Sequence, residues 1–299
     1  MNRSIRFPGF LIVLATAVAL GQPAPRQAGN RRRSDDCTPA VAAVPNLDDL
    51  PDLGGSSGCS TQAVWCWTHD KGTPGSASAT STLVRSPSLD GQSRQFVIST
   101  NREGGLRTHI YDGRTHLDPG STAFAYHIHF QINSMDHVTH LEFDHNQVLP
   151  NRDTIIYGTQ MNFRVNKWDY TTNVGGASRW NHSNIAASKA NIVVAPAWND
   201  LTITYHRDDT GLVTYDSVDL NGTETEFSGA SGPSNFALHD SPVGAIFSNF
   251  QVDGDSTAAT TTVYLDEFSV AGNGTSCGSA LAPETHPSPS VGLARASWR

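Results

Sequence analysis

The sequence predicts an all-β protein, a jelly-roll β-sandwich of two antiparallel sheets. Three observations carry that expectation: short runs rich in Val, Ile, Thr, Tyr and Phe, turn residues (Gly, Asn, Asp, Pro) between them, and an apolar/polar alternation with a period of two in the longest runs. No stretch carries the period of an amphipathic helix. Many short strands, each apolar on one side, bury that side by stacking as two layers.

Residues 1–21 read as a secretory signal. Arg3 and Arg6 make a basic start, Leu11 to Leu20 an apolar stretch, and Ala19-Leu20-Gly21 a small-residue cleavage site. A secreted, extracellular protein is expected, with no membrane insertion, because the apolar stretch is too short to span a bilayer and no later run replaces it. Residues 22–60 form an extended lead-in tethered by disulfides; its Arg31-Arg32-Arg33 cluster lies in polar, Pro- and Gly-containing sequence and reads as a solvated leader. The sandwich domain spans 61–270, with strands expected at 94–100, 107–111, 122–133, 139–148, 154–163, 191–195, 201–206, 212–220, 243–252 and 261–270. In the hairpin over 201–220, Leu201, Ile203 and Tyr205 alternate with polar residues, the chain turns at 207–211, and the return strand ends at Asn221-Gly222. The tail 271–299 has too little apolar periodicity to pack and is expected to be disordered.

The 299 residues carry a formal net charge of −8, so nucleic acid and anionic membranes are poor partners. A monomer is expected. The sequons at Asn181, Asn221 and Asn273 are expected as surface glycosylation sites.

Residues 122–148 are the most informative stretch. Phe124, Tyr126, Ile128, Phe130 and Ile132 alternate with His127, His129, Gln131 and Asn133; after the turn 134–137, Leu141 and Phe143 alternate with His140, Glu142, Asp144 and Asn146. Read as a facing pair, the two strands make one polar platform of imidazoles, carboxylates and amides, the groups that bind sugars, move protons or hold metals. Gln160 and Asn162 extend it from the next strand, where Gly158 leaves room for a ligand. The segment 164–200 reads as a loop region in which Trp168 and Trp180 combine aromatic faces with polar neighbours, the mix that stacks on a pyranose. His127, His129 and His140, with Glu142 or Asp144, form an alternative metal-binding set.

Three places resemble the concanavalin A-like lectin/glucanase superfamily: Leu141-Glu142-Phe143-Asp144, Trp198-Asn199-Asp200-Leu201 with its following hairpin, and Val263-Tyr264-Leu265-Asp266-Glu267-Phe268. The resemblance implies a carbohydrate ligand on a concave sheet and a structural calcium at Asp266, with no other cofactor required. In retaining glucanases of that superfamily an E-x-D-x-E or E-x-D-x-x-E motif supplies nucleophile and acid/base. Glu142 and Asp144 match its first two members, whereas Asn146 and Gln147 stand where the acid/base belongs, and an amide cannot protonate a leaving oxygen. Jelly-roll polysaccharide lyases offer a second comparison, through His127, His129 and Gln131, although Glu142 and Asp144 repel a uronate.

The function expected is recognition of a polysaccharide or oligosaccharide by His127, Gln131, His140, Asn146, Gln160, Asn162, Trp168 and Trp180. Glycan cleavage using Glu142 and Asp144 with His129 as acid/base is the alternative, as a glycoside hydrolase or, less favoured, a polysaccharide lyase. A non-catalytic adhesion module is the third. Finally, Cys37, Cys59, Cys66 and Cys277 are an even set in an oxidising compartment and are expected to be fully paired, with three connectivities open and no C-x-x-C spacing for zinc. Non-reducing mass spectrometry of secreted protein checks this; two or more free thiols overturn it.

Overall fold

The computed structural model describes residues 42–44, 46–50, 52–55, 64–69, 76–100, 105–112, 120–238, 243–255 and 257–273, all within the unit Thr38–Arg299. The expected signal segment, Cys37, Cys59, Cys277 and the tail beyond 273 lie outside the described residues, and Cys66 is described by its backbone alone.

In chain order the strands are β1 (Ala42–Val44), β2 (Asp52–Gly55), β3 (Val64–His69), β4 (Ala77–Val84), β5 (Ser93–Thr100), β6 (Gly105–Asp112), β7 (Ala123–Ile132), β8 (Val138–Val148), β9 (Thr154–Asn162), β10 (Lys167–Val174), β11 (Ala177–Ala186), β12 (Asn199–Arg207), β13 (Leu212–Leu220), β14 (Thr223–Glu226), β15 (Ser231–Pro233), β16 (Asn235–Phe236), β17 (Ile246–Gly254) and β18 (Ala259–Gly272). Two sheets result. The first runs β14-β13-β12-β7-β18-β5-β4, with β1 on β18 and β15 on β13; the second runs β11-β10-β9-β8-β17-β6-β3-β2, with β16 on β9. All these pairings are antiparallel except β2 with β3. The all-β sandwich expected from the sequence is therefore the architecture found.

Alternation builds the core. From the first sheet Phe124, Tyr126, Ile128, Phe130 and Ile132 of β7 point inward with Leu201, Ile203 and Tyr205 of β12; from the second, Leu141 and Phe143 of β8 point inward with Tyr157 and Met161 of β9 and Phe250 and Val252 of β17. Phe143 meets Phe130, Phe250 and Trp168 at ring centroid distances of 5.9, 5.7 and 6.0 Å.

The sequence expectation of a β7–β8 hairpin is overturned. β7 pairs with β12 and β18 in the first sheet, while β8 pairs with β9 and β17 in the second. Residues 133–137 form an arch between the sheets, closed by Val138 N–H on the Met135 carbonyl (3.3 Å) and by buried Met135. Both strands do turn their apolar sides to the core. Because they approach it from opposite sides, their polar sides face away from each other, and His127, His129 and Gln131 share no face with Glu142, Asp144 and Asn146.

Two further expectations change. The presumed loop over 164–200 contains the hairpin β10–β11, turning at Gly175-Gly176 with φ of 65° and 88°, the positive values a tight hairpin demands. The strand expected at 191–195 is instead a 3₁₀ turn (Lys189–Asn191) and a loop joined to Ile132 by one bridge at Val194. Asn199 holds that loop, accepting from Val193 N–H (2.8 Å) and donating to the Val193 carbonyl (2.7 Å). Residues 42–55, expected only as a lead-in, supply two strands and buried Leu47, whose carbonyl accepts from the buried Trp65 indole at 2.8 Å.

His145 is a polar residue set among the core aromatics. His145 is fully buried against Phe124 (4.6 Å), Tyr157 (5.5 Å) and Tyr205 (6.1 Å), and neither ring nitrogen has a hydrogen bond. Burial pushes its pKa down to about 3. The unfolded chain takes up a proton below its ordinary value and the native state does not, so this group contributes stability above about pH 6.5 that is lost toward pH 3, at about 1.4 kcal/mol per pH unit. Asp48, raised by burial to about 7, acts in the opposite direction. Comparing wild type with His145→Leu isolates the histidine: in denaturant titrations from pH 7 to pH 4 the variant should lose that component of the slope, and identical slopes would refute it.

Candidate functional site

The outer face of the second sheet is assembled by register. Across β9, β8 and β17, Asn162, His140 and Asp253 form one row; Gln160, Glu142 and Gln251 the next; Gly158, Asp144 and Asn249 the third; Ile156, Asn146 and Phe247 the fourth. β10 and β11 continue the second row with Asp169 and His182, and the third with Thr171 and Trp180. The strands alternate core and outward residues, so the first three rows are lines of polar groups crossing the strands, broken only at Gly158, and the fourth is flanked by the apolar Ile156 and Phe247.

Amides tie the carboxylates in place. Asp169 is fully buried; its Oδ2 accepts from Gln160 Nε2 (2.9 Å) and Asn162 Nδ2 (2.8 Å), and its Oδ1 lies 2.7 Å from His182 Nδ1. The His182 side chain is 57% exposed, so a buried carboxylate orients an accessible imidazole. Asn249 Nδ2 reaches Glu142 Oε1 (3.4 Å) and Asp144 Oδ2 (3.5 Å). His140 Nδ1 stands 3.2 Å from Asp253 Oδ2, and Gln251 Nε2 donates to Asp253 Oδ1 at 2.8 Å. Asn146 Oδ1 is buried without a hydrogen bond, an acceptor still to be satisfied. At Gly158 a Cβ would meet Asp144 Oδ1 at 2.9 Å and Thr171 Oγ1 at 3.1 Å, so glycine is what lets the Asp144 carboxylate sit here.

Of the sequence-selected residues, Glu142, Asp144, His140, Asn146, Gln160, Asn162 and Trp180 share this face, with Trp180 exposed at the β11 edge. The others do not. His127 and His129 project from the outer face of the first sheet. The sheets stack roughly 10 Å apart, so His129 cannot serve Glu142 as acid/base. Gln131 lies on that same far face, 4% exposed, where the 192–198 loop covers it and the Pro196 carbonyl accepts from its Nε2 at 2.7 Å. Trp168 pairs in register with Met161 and is buried against Phe143 and Phe227, so it is core and not a ligand contact. Gln147, one of the two acid/base positions in the glucanase pattern, also points into the core, where its Oε1 accepts from Tyr157 (3.2 Å) and Arg207 (3.0 Å). Sequence reasoning missed Asp169, His182, Asn249, Gln251 and Asp253. Their signal was present: Asn249, Gln251 and Asp253 alternate with Phe250 and Val252, and His182 follows Trp180 by two.

Asp266 is buried in β18. Its Oδ2 accepts from Leu89 N–H (2.5 Å) and its Oδ1 from Glu267 N–H (2.9 Å), and burial raises its pKa. Near it, Asp48 Oδ1 accepts from Phe268 N–H (2.9 Å), while Asp48 Oδ2 is buried with no hydrogen bond. A buried orphan carboxylate oxygen beside a second carboxylate fits a hard cation. All three sequons have their side-chain amides engaged in the fold, Asn273 through Nδ2 donating to Thr122 Oγ1 at 3.3 Å. Asn221 Nδ2 donates to Asn199 Oδ1 at 3.1 Å and Asn181 Nδ2 to Thr172 Oγ1 at 2.8 Å.

No protein-family model and no curated protein sequence matches the chain. Among solved structures, the chain is similar to an endo-β-1,4-glucuronan lyase from the fungus Trichoderma reesei (14% identity over 72% of this chain and 96% of that one, TM-score 0.40). It is also similar to the CBM22-1 xylan-binding domain of Paenibacillus barcinonensis Xyn10C (10% identity, 80% and 97%, TM-score 0.36). A third likeness is to a carbohydrate-binding module of the β-sandwich superfamily (9% identity, 74% of this chain, TM-score 0.33), of whose chain the match spans only 62%. These likenesses are too distant to transfer a sugar or a reaction.

Proposed function

We propose that the protein binds a neutral polysaccharide across the outer face of its second sheet. The observation that carries this reading is the unbroken set of polar rows from Asp253 and Gln251 through Glu142, Gln160 and Asp169 to His182, with exposed Trp180 at the end. Carboxylates and amides already fixed by one another accept and donate to sugar hydroxyls without losing further rotamer freedom. Four of the acidic groups, Glu142, Asp144, Asp169 and Asp253, share the face, and this disfavours a uronate. Cleavage is less well supported. His182 stands three strands from Glu142, about 14 Å at ordinary strand spacing, which exceeds the roughly 5–9.5 Å between paired groups in glycosidases.

Glu142→Gln and Asp144→Asn should each weaken binding about ten- to a hundredfold, the loss of a charged hydrogen bond of about 1.5–3 kcal/mol. Trp180→Ala should weaken it comparably, and Gln95→Ala should leave it unchanged, because Gln95 lies in β5 of the other sheet and donates to Tyr264 Oη at 2.8 Å. Calorimetry against neutral, amino- and uronate-containing polysaccharides, run beside product assays, measures this. Unchanged binding in all three site variants overturns the reading, and turnover lost in Glu142→Gln with binding retained replaces it with hydrolysis.

A structural calcium, held by Asp48 and Asp266, belongs to the same proposal. Added calcium should raise the Tm of the wild type and leave Asp48→Asn unmoved; an equal rise in both refutes it.

A further inference from the structure

On the outer face of the first sheet His127, His129, Asp200 and Glu267 converge where β7 runs between β12 and β18. His127 Nε2 lies 3.0 Å from Asp200 Oδ1, and His129 Nε2 lies 3.7 Å from the same oxygen. The imidazole rings stand at 87° with centroids 4.9 Å apart, and one ligand atom from each of His127, His129 and Asp200 lies within 4.8 Å of the others.

We infer that this cluster is a binding site for a divalent transition-metal ion of the zinc class, with His127, His129 and Asp200 as ligands. The residue types suit borderline ions and not calcium or magnesium, because imidazole nitrogens bind zinc, copper and nickel far better than hard cations. Three protein ligands with the ion's remaining position open to water is a common zinc arrangement.

His129 supplies the second argument. Only one of the two histidines is hydrogen-bonded to Asp200; His129 Nε2 is too far, and its buried Nδ1 has no hydrogen bond although Glu267 Oε2 lies 3.1 Å away. This imidazole thus stands between two carboxylates with neither nitrogen satisfied, and no lysine or arginine pairs with Asp200 or Glu267 among the described residues. A cation at the shared centre gives His129 Nε2 a bond and compensates both carboxylates. With Nε2 on the metal, Nδ1–H needs an acceptor, and Glu267 is the carboxylate placed to orient the ring.

The backbone is arranged for it. Asp200 and Thr202 face His129 and His127 in register, and Asp200 N–H donates to Asn221 Oδ1 at 2.9 Å. Glu267 has φ of 46° at a register shift between Asp266 and Ser269, a left-handed conformation that costs a non-glycine residue energy and that brings its side chain to His129. Entry is open, since the His127 and Asp200 side chains are 31% and 54% exposed. Ligand atoms around a tetrahedral zinc lie about 3.3 Å apart for bonds near 2.0–2.1 Å, within reach of small side-chain rotations from 4.8 Å.

The test is titration of the full chain, freed of metal by chelation, with Zn²⁺ by calorimetry and with Co²⁺ by visible absorption. We expect one equivalent bound at the site, with affinity reduced at least a hundredfold in His129→Ala and Asp200→Asn. In Glu267→Ala, where the ligands remain and only the orienting carboxylate is lost, about ten- to a hundredfold should go. Calcium should not compete. Thermal unfolding of each metal-free variant reports whether it folds, and His127→Asn, which keeps shape and polarity, stands in for one that does not. No saturable binding overturns the inference. So does binding that survives in all the variants.

Discussion

The contact between the two inner faces, where Phe130, Phe143 and Phe250 meet with centroids 5.7–6.0 Å apart, fixes the direction of every outward side chain. A strand cannot bury one side without presenting the other, so each aromatic residue in the core fixes its sequence neighbours on the surface. Leu141, Phe143 and His145 locked inward leave His140, Glu142 and Asp144 outward. Truncating one of these buried phenylalanines costs about 3–5 kcal/mol, so the packing that positions the surface is also a large part of what holds the fold.

On the second sheet, outward direction alone would leave carboxylates competing for solvent. Asp169 shows how the face avoids this: it is buried beneath the hydrogen bonds of Gln160, Asn162 and His182, and its charge orients an exposed imidazole. Satisfied networks of this kind are rigid, because breaking one member strands the others without partners. The face is therefore preorganised in rows, and the distance between rows is set by backbone register and not by side-chain flexibility.

The first sheet solves a different problem with similar residues. There the cluster of His127, His129, Asp200 and Glu267 owes its geometry to β7 being flanked by β12 and β18, with a bulge in β18 turning Glu267 toward His129. The two faces carry separate chemistries because the aromatic core lies between them, and neither can contribute a group to the other.

The sequence by itself determined the strands with a clear alternation and which side of each is apolar. β7, β8, β9, β12, β13 and β18 are legible from Phe124 to Ile132, Leu141 and Phe143, Ile155 to Met161, Leu201 to Tyr205, Val213 to Tyr215, and Val263 to Leu265, because period-two burial is a local property. It also marked the Asn221-Gly222 turn and most of the polar face around Glu142. It did not determine β10 and β11, because the sides opposite their polar rows carry polar residues as well, Thr172 after Trp168 and Tyr170 on β10, and Asn181 and Ser183 before Ile185 on β11, so no apolar period of two shows. Nor could it decide the sheet to which each strand belongs. Phe130 and Leu141 both read as core, and a five-residue connection serves equally for a hairpin or for an arch between sheets. Only the packing of the aromatic layer, a contact between residues distant in sequence, separates His129 from Glu142 and brings it to Asp200 and Glu267 instead.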